Sequence, residues 1–142
     1  MDALIPQVRD FRELKVWAKA HDLALATYAA TGTFPQSELF GLTAQMRRSC
    51  ASIATNIAEG CGRDGEAELR RYLSIARGSA SELEYQLPLA CDLGYLPCDK
   101  HEVLTSEVIQ IKQMLTRFIQ TVSPPRRAGD RRLLADVRAT DG

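Results

Sequence analysis

The sequence reads as an all-α protein, an antiparallel up-down-up-down four-helix bundle, on three grounds. Four amphipathic segments of helical period fill the chain as far as Val122, each bounded by Gly, Pro or a capping Asp. No stretch of strand period and no hairpin signal interrupts them. Short turns between such segments leave an antiparallel bundle as the arrangement that buries all four apolar stripes. With 142 residues the chain is long enough for one domain that buries roughly 68–70% of its unfolded surface.

The first segment is expected over about 10–31. Asp10 is a candidate N-cap with Glu13 three residues on, and Phe11, Leu14, Trp17, Ala18, His21, Leu25 and Tyr28 supply the apolar face. Gly32 suits a left-handed position at its end, with Pro35 three residues beyond. A second helix is expected over about 37–60, its stripe running Leu39, Leu42, Met46, Ile53, Ile57. The glycine-rich stretch Gly60 to Gly65 turns the chain, with Asp64 as candidate cap. A third helix, about 65–93, carries Leu69, Tyr72, Leu73, Ala76, Ala80, Leu83, Leu87 and Ala90, and Pro88 predicts a kink near Glu84 to Pro88. The fourth, about 99–122 and capped by Asp99, places Leu104, Val108, Ile111, Leu115, Phe118 and Val122 at a 4-3-4-3-4 spacing. Residues 1–122 thus form the bundle. The Arg/Asp-rich segment 123–142 has no core of its own and is expected to be a mobile tail with a turn of helix around Leu133 to Val137.

Charge excludes a global basic field, because 18 Lys plus Arg balance 18 Asp plus Glu. The tail stands at +2 and residues 1–122 at −2. Met1 to Arg9 lacks a signal-peptide core and no apolar run approaches the roughly 20 residues of a membrane span, so a cytoplasmic protein with no membrane partner and reduced thiols is expected. Of the four cysteines, Cys50 and Cys61 would stand roughly 16 Å apart on one helix and cannot bridge. Cys50 and Cys91 read as small buried hydrophobes, and His21 as a residue at the core edge. Two histidines without a helical metal-ligand pairing, and no phosphate-binding loop, predict no metal, no cofactor and no catalytic residues.

Two surface patterns remain. Gln45, Ser49, Ser52, Asn56 and Glu59 recur at offsets of 4, 3, 4 and 3 on the second helix, opposite small and polar residues of the third that include Ser74 and Glu82. This stripe is either a solvated face with interhelical hydrogen bonds or a subunit interface. Arg47, Arg48, Arg63, Arg70, Arg71 and Arg77 concentrate guanidinium groups on the same two helices. They are either surface cations paired with Glu66, Glu68 and Glu82 or a strip suited to phosphate, since the planar fork donates two hydrogen bonds at once.

The runs Phe34-Pro35-x-x-Glu38, Leu42-x-x-Gln45-Met46-Arg47-Arg48-x-x-x-Ser52-Ile53-x-x-Asn56-Ile57-Ala58-Glu59-Gly60, Arg71-Tyr72-Leu73-x-Ile75-Ala76-Arg77-Gly78-Ser79-x-x-Glu82-Leu83-Glu84 and Leu93-Gly94-Tyr95-Leu96 follow a Phe11-x-x-Leu14-x-Val16-Trp17 opening. Together they resemble the four-helix bundle proteins of the 23S ribosomal RNA intervening-sequence family over about Phe11 to Val122. That resemblance implies a small bacterial protein that forms a ring-like homopentamer and has no catalytic residues. It also points to a related branch, the accessory protein of diversity-generating retroelements, a pentameric barrel that binds nucleic acid through a basic surface. The present chain departs from that branch in its neutral charge, and from the usual third-helix pattern in Pro88. The expected function is a non-enzymatic homo-oligomeric binding scaffold that contacts RNA, DNA or a nucleic-acid enzyme. The alternative is a structural bundle that docks a protein and has no nucleic-acid role.

Overall fold

A computed structural model of the protein describes residues 10–122. The expected tail, with its turn at Leu133 to Val137, lies outside the described residues. Four long helices account for most of the described chain: α1 (Lys15–Thr31), α2 (Leu42–Gly62), α3 (Glu66–Asp92) and α4 (Cys98–Val122). Single 3-10 turns precede the first two, at Phe11–Glu13 and Gln36–Glu38, and no strand occurs among the described residues. Helix α1 packs on α2 and α4, α2 on α3, and α3 on α4. All four contribute to one core, with Met46, Cys50, Ile53 and Ile57 from α2, Leu73, Leu83 and Leu87 from α3, and Val108, Ile111 and Leu115 from α4 wholly buried.

The stripes read for the third and fourth helices are the faces that point inward. The first helix differs. Its buried residues are Val16, Ala20, Leu23, Thr27 and Thr31, whereas Leu25 is 59% and Tyr28 46% exposed. The two threonines made the inward face look polar in the sequence. Each removes that penalty by donating its hydroxyl to the carbonyl four residues back, Thr27 to Leu23 and Thr31 to Thr27, both at 2.8 Å, so that both side chains are buried with no donor unsatisfied.

Several boundaries move for local reasons. Asp10 caps the 3-10 turn and not α1. Its carboxylate accepts from the Arg12 N–H, and Leu14 is extended before α1 begins at Lys15. The second helix begins at Leu42 and not near residue 37, because Gln36–Glu38 forms a separate turn and leaves Leu39 outside the stripe. Glu38 then reaches forward to accept the otherwise orphaned N–H of Leu42 at 3.1 Å. Asp64 is not the cap of α3. Gly65 holds that place with φ 88° and ψ 157°, a conformation left to glycine. Asp99 lies in the first turn of α4, which opens one residue earlier, at Cys98.

Pro88 does not divide α3, which continues to Asp92. The proline leaves one carbonyl of the ladder without its donor, and Gln86, Leu87 and Ala90 around it are buried. Gly32 is right-handed (φ −61°), contrary to expectation. The left-handed glycine is Gly94 (φ 81°), which ends α3 in a Schellman motif: the Gly94 N–H donates to Cys91 O at 2.9 Å and the Tyr95 N–H to Ala90 O at 3.0 Å. At the α2–α3 crossing Gly60 is buried, and a Cβ there would lie 3.0 Å from the Tyr72 Cβ and 3.1 Å from a Leu69 methyl. The helices meet closely at this point because residue 60 has no side chain.

Candidate interaction surface

The polar stripe of α2 splits into three environments. Gln45 and Glu59 are exposed, Ser49 is buried, and Ser52 and Asn56 are half-buried. Ser49 donates to the Gln45 carbonyl at 3.0 Å. The Ser52 hydroxyl crosses to α3 and shares a 2.8 Å hydrogen bond with Ser79, and Asn56 donates to both the carbonyl and the hydroxyl of Ser52. Small residues at 52 and 79 thus let α2 and α3 approach and link them with a side-chain bond. Ser74 and Glu82 lie exposed on α3, with no side-chain partner among the described residues.

The arginines are brought into different tasks. The Arg47 Nε donates to the Thr31 hydroxyl at 2.9 Å, and its guanidinium lies 4.9 Å over the Tyr28 ring and reaches the Tyr28 carbonyl, closing the C-terminal end of α1 where a cation complements the helix dipole. Arg77 crosses to α4 and donates to Thr116 at 3.2 Å. At the α2–α3 turn, Arg63 and Arg71 both lie against the Tyr72 ring, at 5.2 and 4.5 Å. Arg63 also pairs with Glu59 at 3.2 Å and donates to the Tyr72 hydroxyl, while Arg71 forks onto Glu68. The bidentate contact lowers the Glu68 carboxyl below its ordinary value and raises Arg71 above its own. Over residues 59–71 three arginines meet four carboxylates, so this end of the molecule carries no positive excess. Arg70 is half-buried with one terminal nitrogen unpartnered among the described residues, and Arg48 is exposed without a side-chain partner there.

Sequence reasoning missed an open groove of about 580 Å³ between α1 and α2. One wall is an aromatic stack in which Phe11 meets Trp17 edge-on at 4.9 Å and Trp17 lies parallel to His21 at 5.0 Å. The other is the alanine face Ala51, Ala54 and Ala58, with Thr55 and Glu59 at the rim. His21 is therefore an exposed stacking partner and not a core-edge residue. The signal was present in the sequence as three alanines at helical spacing, but nothing there placed them opposite the stack.

The thiols also separate. Cys50 is wholly buried and burial pushes its thiol up to about 11, whereas Cys91, expected to be buried, is only partly so and Cys98 is exposed. Among the described residues no three His, Cys, Asp or Glu side chains converge as a metal site, and no helix is long and apolar enough to cross a membrane.

These features define an all-helical protein with one shared core and an apolar groove on its outside. The model of the 23S rRNA-intervening sequence protein family matches residues 12–117, and the chain belongs to that family. Among solved structures it is similar to a protein of unknown function from the S23 ribosomal protein family of Bacteroides thetaiotaomicron VPI-5482. The two share 26% identity and a TM-score of 0.67 over 73% of this chain and 97% of that one. None of the curated proteins compared matches the chain.

Proposed function

We propose that the protein is a non-catalytic, cytoplasmic scaffold, an antiparallel up-down-up-down bundle that assembles with copies of itself into a homopentameric ring and works by docking partners on the assembled surface. Opposed helix directions are supported by paired contacts: Glu84 meets Lys112 at 2.7 Å and Arg77 meets Thr116, so advancing along α4 retreats along α3. The single observation that carries the assembly is the groove of Phe11, Trp17 and His21 facing Ala51, Ala54 and Ala58. Alanines let a second backbone approach, and aromatic residues contribute apolar area at low entropic cost. A second copy of the chain is the occupant this reading commits to.

Sedimentation velocity and native mass at micromolar concentration test it. A pentamer is expected for the wild type, and dissociation for Ala54→Glu with helicity unchanged by circular dichroism. A wild-type monomer would overturn the ring.

A second reading, contact with RNA or DNA in the manner of the retroelement accessory protein, is favoured by Arg48, exposed and unpaired among the described residues. The other arginines named for phosphate are mostly engaged within the chain, and a neutral protomer multiplies acidic groups as fast as basic ones. Anisotropy with a structured RNA at two salt concentrations decides: binding that weakens with salt and with Arg48→Ala supports it, and no binding at low salt removes it.

A further inference from the structure

We propose that Cys91 and Cys98 are a redox modification site, a dithiol that closes reversibly into a disulfide across the turn between α3 and α4. The two sulfurs lie 4.0 Å apart and both are free. They stand at the last turn of α3 and the first residue of α4, so a bond between them would join the two helices at the base of the turn. Bond formation requires the sulfurs to approach from 4.0 Å to about 2.05 Å. Cys98 is exposed and is the sulfur an external oxidant meets first. The Cys91 thiol is held above its ordinary value, chiefly by burial and next by the sulfur of Cys98, so less of it is thiolate and the first attack falls to Cys98. Neither Cys50, buried in the core, nor Cys61, half-buried on α2, has a cysteine beside it among the described residues.

The chemistry is thiol–disulfide exchange with a low-molecular-weight disulfide, RSSR. The Cys98 thiolate attacks one sulfur of RSSR, forming a mixed disulfide and releasing RS⁻. Cys91, losing its proton, attacks the Cys98 Sγ, forms the internal bond and releases the second RS⁻. The two protons lost by the cysteines convert both leaving groups to RSH. The pair is thereby oxidised by two electrons and RSSR reduced by two.

The turn that would be locked is wired to the rest of the fold. Tyr95 donates to Glu38 at 3.1 Å and its ring packs 5.5 Å from Phe34, and Glu38 in turn caps α2. Leu96 is buried in the core while its neighbour Pro97 lines a second groove with Ala26, Ala29 and Val103. Closure of the disulfide restricts both the capping contact and that groove, independently of whether the chain assembles as proposed above.

The test uses the full chain in oxidised and reduced glutathione. Alkylation after denaturation is expected to count four thiols in the reduced protein and two in the oxidised one. The tryptic peptide 78–100 should be lighter by two hydrogens, and an excess of reduced glutathione should restore it. Amide hydrogen exchange over residues 93–96 should slow several-fold on oxidation. Cys91→Ser should accumulate a single glutathione on Cys98, and Cys98→Ser should keep its three thiols. Four thiols persisting at every glutathione ratio, a bond that maps to Cys50 or Cys61, or only intermolecular dimers through Cys98 would overturn the site. Unchanged exchange in the oxidised protein would overturn its action on the turn.

Discussion

The two ends of the molecule are built differently. Where the α1–α2 and α3–α4 turns meet, Phe34 and Leu96 are buried, Tyr95 bridges to Glu38, and a left-handed Gly94 closes α3. At the α2–α3 turn the contacts are exposed: two guanidinium groups on one tyrosine ring and two ion pairs whose side chains are between 39% and 54% open to water. Burial of apolar side chains contributes roughly 1.5–3 kcal/mol each, while exposed ion pairs contribute between about 0 and 1. The first end is therefore held by the core, and the second chiefly by the close passage of α3 over Gly60.

This contrast can be broken by substitution. Leu96→Ala should have the largest effect, about 2–5 kcal/mol in urea unfolding, because it empties a core position reached from a turn. A smaller loss would mean that the turn is not anchored as described. The buried thiol gives the next effect. Unfolded, Cys50 ionises near 9.0, and folded near 11. Between those values the unfolded state binds fewer protons, so stability falls as pH rises, by on the order of 2–3 kcal/mol. Unfolding midpoints at pH 8 and 11 should fall less in Cys50→Ala than in the wild type.

At the opposite end, Gly60→Val should cost about 1–3 kcal/mol by overpacking against Tyr72 and Leu69. Thermal unfolding of the Gly60→Val, Leu69→Ala double variant, which removes the Leu69 methyl that the new side chain meets, should show a loss smaller than the sum of the two single losses if the clash is the cause. Arg63→Ala should have the smallest effect, within about 1 kcal/mol, and should weaken further in high salt. A loss as large as that of Leu96→Ala would erase the distinction between the ends.

Much of the fold was legible because apolar spacing on α3 and α4 is unambiguous. Leu73, Ala76, Ala80, Leu83 and Leu87, and likewise Leu104, Val108, Ile111 and Leu115, admit one inward face. On α1 the same method chose the wrong face, because Leu25 and Tyr28 look like core residues and Thr27 and Thr31 do not. A hydroxyl's cost depends on whether a carbonyl one turn back accepts it, which hydrophobic patterning does not register. The arginines were legible as a set of cations. Their partners were not, since Arg47 with Thr31 and Arg77 with Thr116 join residues distant in sequence.

By itself the sequence determined four helices, roughly where the chain turns between them, the inward stripes of α3 and α4 with that of α2 from Leu42 onward, and the family. Those properties follow from period, from glycine and proline chemistry and from residues close along the chain. Only the tertiary structure decided which face of α1 is buried, that Phe11, Trp17 and His21 stand across from three alanines, and that Cys91 and Cys98 lie sulfur to sulfur. Each of these depends on the distance and orientation between groups that belong to different elements, and such distances are set by packing of the whole core.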